Sequence, residues 1–156
     1  MDSGTPAVGH EMVGGTTRSL LQEHGHGVLS LAAENRAYAV PMSYAFDEPE
    51  DRLIFAFING PDSRKEHFAN HSERVTLTTY TFEASDCWES VVVTGTLEPI
   101  DDAAVSDRFA SLFFDQADDA AGDARWLEAD HLDRTWYALE ITDISGRRTD
   151  RLPHRE

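Results

Sequence analysis

The chain changes its hydrophobic rhythm near residue 28. Before that point, Thr17 precedes Leu20 and Leu21, and Gly25 and Gly27 follow. That order predicts a short helix capped by Thr17 and closed by glycine. Residues 1–15, rich in Gly, Thr and small side chains, read as a loose arm. Val28-Leu29-Ser30-Leu31-Ala32 is a short apolar run, and Asn35-Arg36 reads as a turn. From Tyr38 to Phe46 the alternation is clean: Tyr38, Val40, Met42, Tyr44 and Phe46 share one face, and Ala39, Pro41, Ser43 and Ala45 the other. Asp47 to Asp51 is an acidic turn, Leu53 to Phe57 the next strand, and Asn59-Gly60-Pro61 breaks it.

A helix is expected from about Asp62 to Asn70, then strands at Val75–Phe82 and Ser90–Ile100. Asp101 or Asp102 caps a further expected helix with Val105, Phe109, Leu112 and Phe113 on one stripe. Asp118–Gly122 reads as a loop and Trp126-Leu127 as part of another short helix. Trp136–Ile144 is the last strand, ending before Gly146. The sum is a mainly β chain with peripheral helices and a six-stranded antiparallel barrel. It divides into the arm, one domain over residues 16–150, and a tail at 151–156.

Charge and composition narrow the function. With 29 acidic and 13 basic residues in 156, the formal net charge is −16. Such a field repels nucleic acid and anionic membranes. The basic residues include a single lysine, Lys65. This acidic, lysine-poor composition fits a salt-adapted protein whose surface charge holds water and whose self-repulsion is screened by salt. An acidic partner-binding face is the rival reading, but the acids are spread along the chain. No apolar run approaches the ~20 residues of a membrane span, and Met1 to Thr17 lacks the basic-then-apolar order of a secretory signal. Cys87 stands alone, so a disulfide within one chain is excluded. A cytoplasmic location is expected.

Candidate chemistry gathers in three segments. Ser63-Arg64-Lys65 follows a strand and opens a helix, where free backbone N–H groups, a hydroxyl, a guanidinium and an ammonium together suit a phosphate. Ser63 and Glu66 equally fit a capping box that needs no ligand. The small face of Ala39–Ala45 would let a flat ligand approach the backbone, and Pro41 marks an edge or bulge. In Trp88–Gly95, Val91 and Val93 oppose Ser90 and Val92, and Gly95 marks a bulge or close backbone contact. Trp88 either stacks on an aromatic ligand or serves a core or interface. The pairs His24/His26 and His67/His71 lack a third ligand, so no metal site is expected. No catalytic constellation stands out, and Cys87 reads as apolar filler.

In this order, the strand Tyr38–Phe46, the strand Leu53–Phe57, Ser63-Arg64-Lys65 and Trp88–Gly95 resemble the flavin-binding core of the pyridoxamine 5'-phosphate oxidase family. The resemblance implies an FMN-binding split β-barrel, nearest the general flavin-binding and nitroimidazole-resistance branches. It implies that Ser63, Arg64 and Lys65 bind the FMN phosphate. It also implies that Ala39, Val40, Pro41, Met42, Ser43, Tyr44 and Phe57 line the cofactor, and that Trp88 and Ser90 reach its ring. A homodimer with flavin at the subunit interface, acting on a small-molecule substrate, follows from the same resemblance. Relatives that bind haem or a deazaflavin, and a non-catalytic flavin-binding redox sensor, are the alternatives.

Overall fold

The computed structural model describes residues 9–59, 64–101 and 133–154. Within them the chain runs β1 (His10–Glu11), α1 (Gly14–His24), β2 (His26–Ala33), β3 (Arg36–Ser43), β4 (Ala45–Asp47), β5 (Arg52–Asn59), α2 (Arg64–His71), β6 (Val75–Ala84), β7 (Cys87–Ile100) and β8 (Asp133–Arg148). The strands form one antiparallel sheet in the order β3-β2-β6-β7-β8-β5-β4, with β1 added on β8. Its two end strands, β3 and β4, are consecutive in the chain and separated by Tyr44 alone. A sheet whose ends are tied by one residue has to curl, which gives the split-barrel form.

The six expected runs are all present, with one division and one addition. The run expected as a single strand, Tyr38–Phe46, breaks at Tyr44: β3 pairs with β2, whereas β4 pairs with β5. Tyr44 is fully buried at the break. Its N–H bonds to the Gly25 carbonyl at 2.9 Å and its hydroxyl to that of Leu21. Both acceptors lie at the C-terminal end of α1, so one residue, through its backbone and its side chain, fixes the helix to the strand crossing. Ala45 therefore joins the core instead of continuing the small outer face.

Other expectations shift by a few residues. Helix α1 opens after Val13, with no side-chain cap; Thr17 sits inside it, its hydroxyl bonded to Val13 O at 3.0 Å. Gly25, at φ 69°, closes it as expected. The first hairpin turns on Glu34 and Asn35, both at positive φ, while Arg36 already belongs to β3. His10–Glu11 pairs with Arg147 and Arg148, so this end of the expected loose arm is held to the sheet. Strand β8 runs on through Gly146 to Arg148. The expected helices and loop between Asp102 and Leu132, and the helix start at Asp62, lie outside the described residues.

The core is aromatic on one side and aliphatic on the other. Phe57 packs on Tyr137 at 4.6 Å between ring centroids, Phe55 meets Phe57 edge-on at 6.5 Å, and Tyr44 meets Phe55 at 6.3 Å. Leu29, Leu31, Leu77, Val91 and Val93 fill the other side. Gly95 is required where β7 crosses β8: a Cβ there would collide with the Glu140 carbonyl, and the register slips between Thr94 and Gly95. The bulge expected at this glycine is therefore present.

Candidate functional site

Strand register assembles the site. On the outer face of β3-β2-β6-β7-β8, Pro41 pairs with Val28, Val28 with Thr78, Thr78 with Val92, and Val92 with Ser145. One row over, Ala39, Ser30, Thr76, Thr94 and Asp143 follow the same path. On the other side Ser43 pairs with His26, and Tyr80 with Ser90, which pairs with Arg147. Ser43, Ser90 and the small face of Ala39 and Pro41 therefore lie on one continuous surface. Across these five strands Asp143 and Arg147 are the only formal charges in the rows, and Glu11 of β1 follows beside Arg147, in a chain with 29 acidic residues.

The face is shaped as well as poor in charge. A groove of about 300 Å³ is lined by His26, Gly27, Val28, Pro41, Thr78, Thr79 and Tyr80. Tyr80 lines it at 65% exposure, and Phe82 lies two residues further along β6 at 62%. Strand β3 is an end strand, hydrogen-bonded to β2 alone among the described strands. Pro41 sits where the sequence put it, on an edge. Ala39 and Pro41 are exposed, and Ser43 is half-buried. A flat ring can lie here against backbone groups that no neighbouring strand uses.

The remaining expected residues fall in several places. Val40 and Met42 point to the inner side, packed against the core, and Tyr44 is buried within it. Phe57 is fully buried among Phe55 and Tyr137, so its side chain is spent on the core. Trp88 is half-buried, with its indole over Gly9, where a Cβ would strike the ring. Its backbone is clasped to Thr149 at 2.9 and 3.0 Å. That contact gives Trp88 a packing role. Ser63 lies outside the described residues.

Arg64 and Lys65 open α2, Arg64 exposed and Lys65 half-buried. Neither forms an ion pair with a described residue. Helix α2 is anchored by Phe68 stacked on Tyr38 at 5.3 Å and by Asn70, which accepts the Tyr137 hydroxyl at 2.9 Å. Burial pushes the Tyr137 hydroxyl up, with Glu66 adding to it, so it remains a donor. Tyr38 belongs to the inner side of β3, opposite Ala39 and Pro41. The phosphate half of the expected cradle and the Ser90 half thus sit on different sides of one sheet layer, with the β3 edge between them.

His26 and Tyr80 line the groove, and the sequence alone did not single them out for it. The alternation of His24 and His26 is visible in the sequence, where it points to no metal site for want of a third ligand. Among the described residues no cluster of three metal-ligating side chains occurs. The His24 ring instead bonds Thr79 at 2.8 Å, and His26 Nδ1 bonds the His24 carbonyl at 2.9 Å.

The chain belongs to the pyridoxamine 5'-phosphate oxidase family, whose model matches residues 15–148. No functionally curated protein matches it. Among solved structures it is similar to an FAD-binding protein from Mesorhizobium loti, with TM-score 0.73 and 20% identity over 91% of this chain and 97% of that one. It is also similar to an FAD-binding protein from Mycobacterium smegmatis, with TM-score 0.61, 16% identity, and 90% and 98% covered. An FAD- and haem-binding protein from the same organism gives TM-score 0.65 and 15% identity over 92% and 75%. Identities this low show the shared fold. No helix among the described residues is long and apolar enough to cross a membrane.

Proposed function

We propose that this protein is an FMN-dependent oxidoreductase that moves electrons to or from a small molecule, working as a homodimer with flavin between the subunits. The observation that carries the reading is the outer face itself: Ala39, Pro41, Ser43 and Ser90 share one surface almost free of charge. Leaving that surface bare in a protein of net charge −16 is unusual. A second copy, laid face to face, would cover it while enclosing few charges, Asp143 and Arg147 on the β8 side among them. The same copy would bring its Ser90 side to the β3 edge of the first, uniting the two halves of the cradle.

A bound flavin supplies the electron chemistry, and the protein's part is to bind and tune it. Arg64 and Lys65, at the start of α2, would hold the phosphate with charged hydrogen bonds. The β3 edge offers backbone donors and acceptors to the ring. The small side chains of Ala39 and Pro41 let the ring come close. The groove walls exclude water from one side of the ring.

The test is the absorption spectrum of purified protein, followed by chromatography of the released cofactor. FMN at about one per chain supports the reading. FAD moves the assignment toward the similar structures, while haem, a deazaflavin or an empty protein that ignores added FMN contradicts it. The acidic composition further supports a salt-adapted cytoplasmic protein. Its melting temperature should rise with salt, as the reach of repulsion shrinks from ~10 Å at 0.1 M to ~3 Å at 1 M.

A further inference from the structure

We propose that His26 is the proton-exchanging residue of the groove, holding the negative charge that a ring ligand acquires on reduction. This rests on the flavin reading above and assigns a tuning residue within it.

The argument begins with the tautomer. His26 Nδ1 lies 2.9 Å from the His24 carbonyl, which only accepts, so Nδ1 carries the hydrogen. Nε2 is then the nitrogen left for a ligand: a lone pair in the neutral ring, an N–H donor in the cation. The mount is rigid on both sides. Thr79 donates its hydroxyl to the His26 carbonyl at 2.9 Å, so its oxygen accepts from His24 Nδ1 at 2.8 Å. Gly25, between the two histidines, holds the Tyr44 N–H through its carbonyl. The imidazole is therefore attached to a segment fixed from α1, β6 and the strand crossing.

No carboxylate is among the residues that line the groove around His26. His26 shares the groove with Pro41 and Tyr80. Ser43 pairs with it on β3, and Tyr80 leads through Ser90 to Arg147. The titratable groups near it are His24 from α1 and Tyr80 from β6; Arg147 of β8 lies three strands away, where it pairs with Glu11 of β1 and bonds the Gly9 carbonyl at 2.6 Å. A ring that takes two electrons and one proton is left with one negative charge. An imidazole is the side chain best placed to answer with a second proton near neutral pH. His26 takes that proton from solvent at Nε2 and donates a hydrogen bond, while the electrons come from the reductant.

The test uses the full chain loaded with FMN and dithionite as reductant. In His26→Leu, oxidised FMN should bind within about threefold of wild type. Reduced FMN should bind about tenfold more weakly, a fall of about 30 mV in the two-electron potential. His26→Lys, which restores a cation, should recover most of that shift. In the wild type, the His26 Nε2 resonance should move to the protonated position when bound FMN is reduced. An unchanged potential in His26→Leu with FMN bound overturns this inference and leaves the flavin reading intact. A wild-type protein that binds neither FMN nor riboflavin overturns both.

Discussion

The two faces of the β3-β2-β6-β7 layer are made of different residues for different ends. The inner face carries Leu29, Leu31, Leu77, Val91 and Val93, all buried and satisfied within one chain. The outer face carries Ala39, Pro41, Val28, Ser30, Thr76, Thr78, Ser90 and Val92, small or hydroxylated and mostly half-exposed. Alternation puts both sets on the same strands, one residue apart. The inner set contributes stability directly by leaving water. The outer set gains little from folding and is left for a ligand or a second copy. The largest expected contrast lies here. Leu77→Ala should cost about 2–5 kcal/mol in denaturant unfolding. Thr78→Glu, the next residue, should change the stability of the monomer by about 0.5 kcal/mol or less yet lower the mass in light scattering to that of one chain. Equal losses of stability at both positions would erase the distinction.

Lys65 sharpens the comparison from the other side of the layer. Lys65→Ala should weaken FMN binding about ten- to a hundredfold, the worth of a charged hydrogen bond at roughly 1.5–3 kcal/mol. Riboflavin, which lacks the phosphate, should bind the variant and the wild type alike, and the melting curve should hold. If the start of α2 is only a capping box, Ser63→Ala lowers stability and Lys65→Ala leaves FMN titrations unchanged.

Tyr44 joins the two faces and should give a smaller effect than Leu77→Ala. Tyr44→Phe leaves the Leu21 carbonyl without its hydroxyl donor, at a cost of about 1–3 kcal/mol. Burial raises the Tyr44 hydroxyl well above the ordinary tyrosine value of 10.0. The unfolded chain therefore ionises first as pH rises. The Tyr44 contribution is complete below pH 10 and is lost as pH climbs above it. Urea midpoints from pH 8 to 11 should fall less steeply in Tyr44→Phe than in the wild type.

Alternation made most of the fold legible. The strands Val75–Phe82 and Ser90–Ile100 fell within β6 and β7, and Pro41 announced an edge, because period-two burial and a missing N–H are local facts. What escaped was non-local. Nothing in Tyr38–Phe46 marks the break at Tyr44, since a tyrosine continues the alternation. Its role depends on the carbonyls of Leu21 and Gly25, far back in the chain. His26 escaped for a similar reason: its neighbours Pro41 and Tyr80 come from two other strands. Phe57 was expected at the cofactor, and packing against Tyr137 draws it into the core.

The central claim is that each flavin site is built from two chains, and subunit mixing tests it most directly. One variant carries Arg64→Ala with Lys65→Ala, and the other carries Ser90→Arg. Alone, each should leave FMN unbound at a concentration that fills wild-type sites. Unfolded together and refolded, they should form mixed dimers in which one site has its phosphate half and its Ser90 half intact. FMN fluorescence quenching should then return in the mixture. If both variants fold, each fails alone, and the mixture stays as empty as its parents, the two halves belong to one chain and the account is wrong.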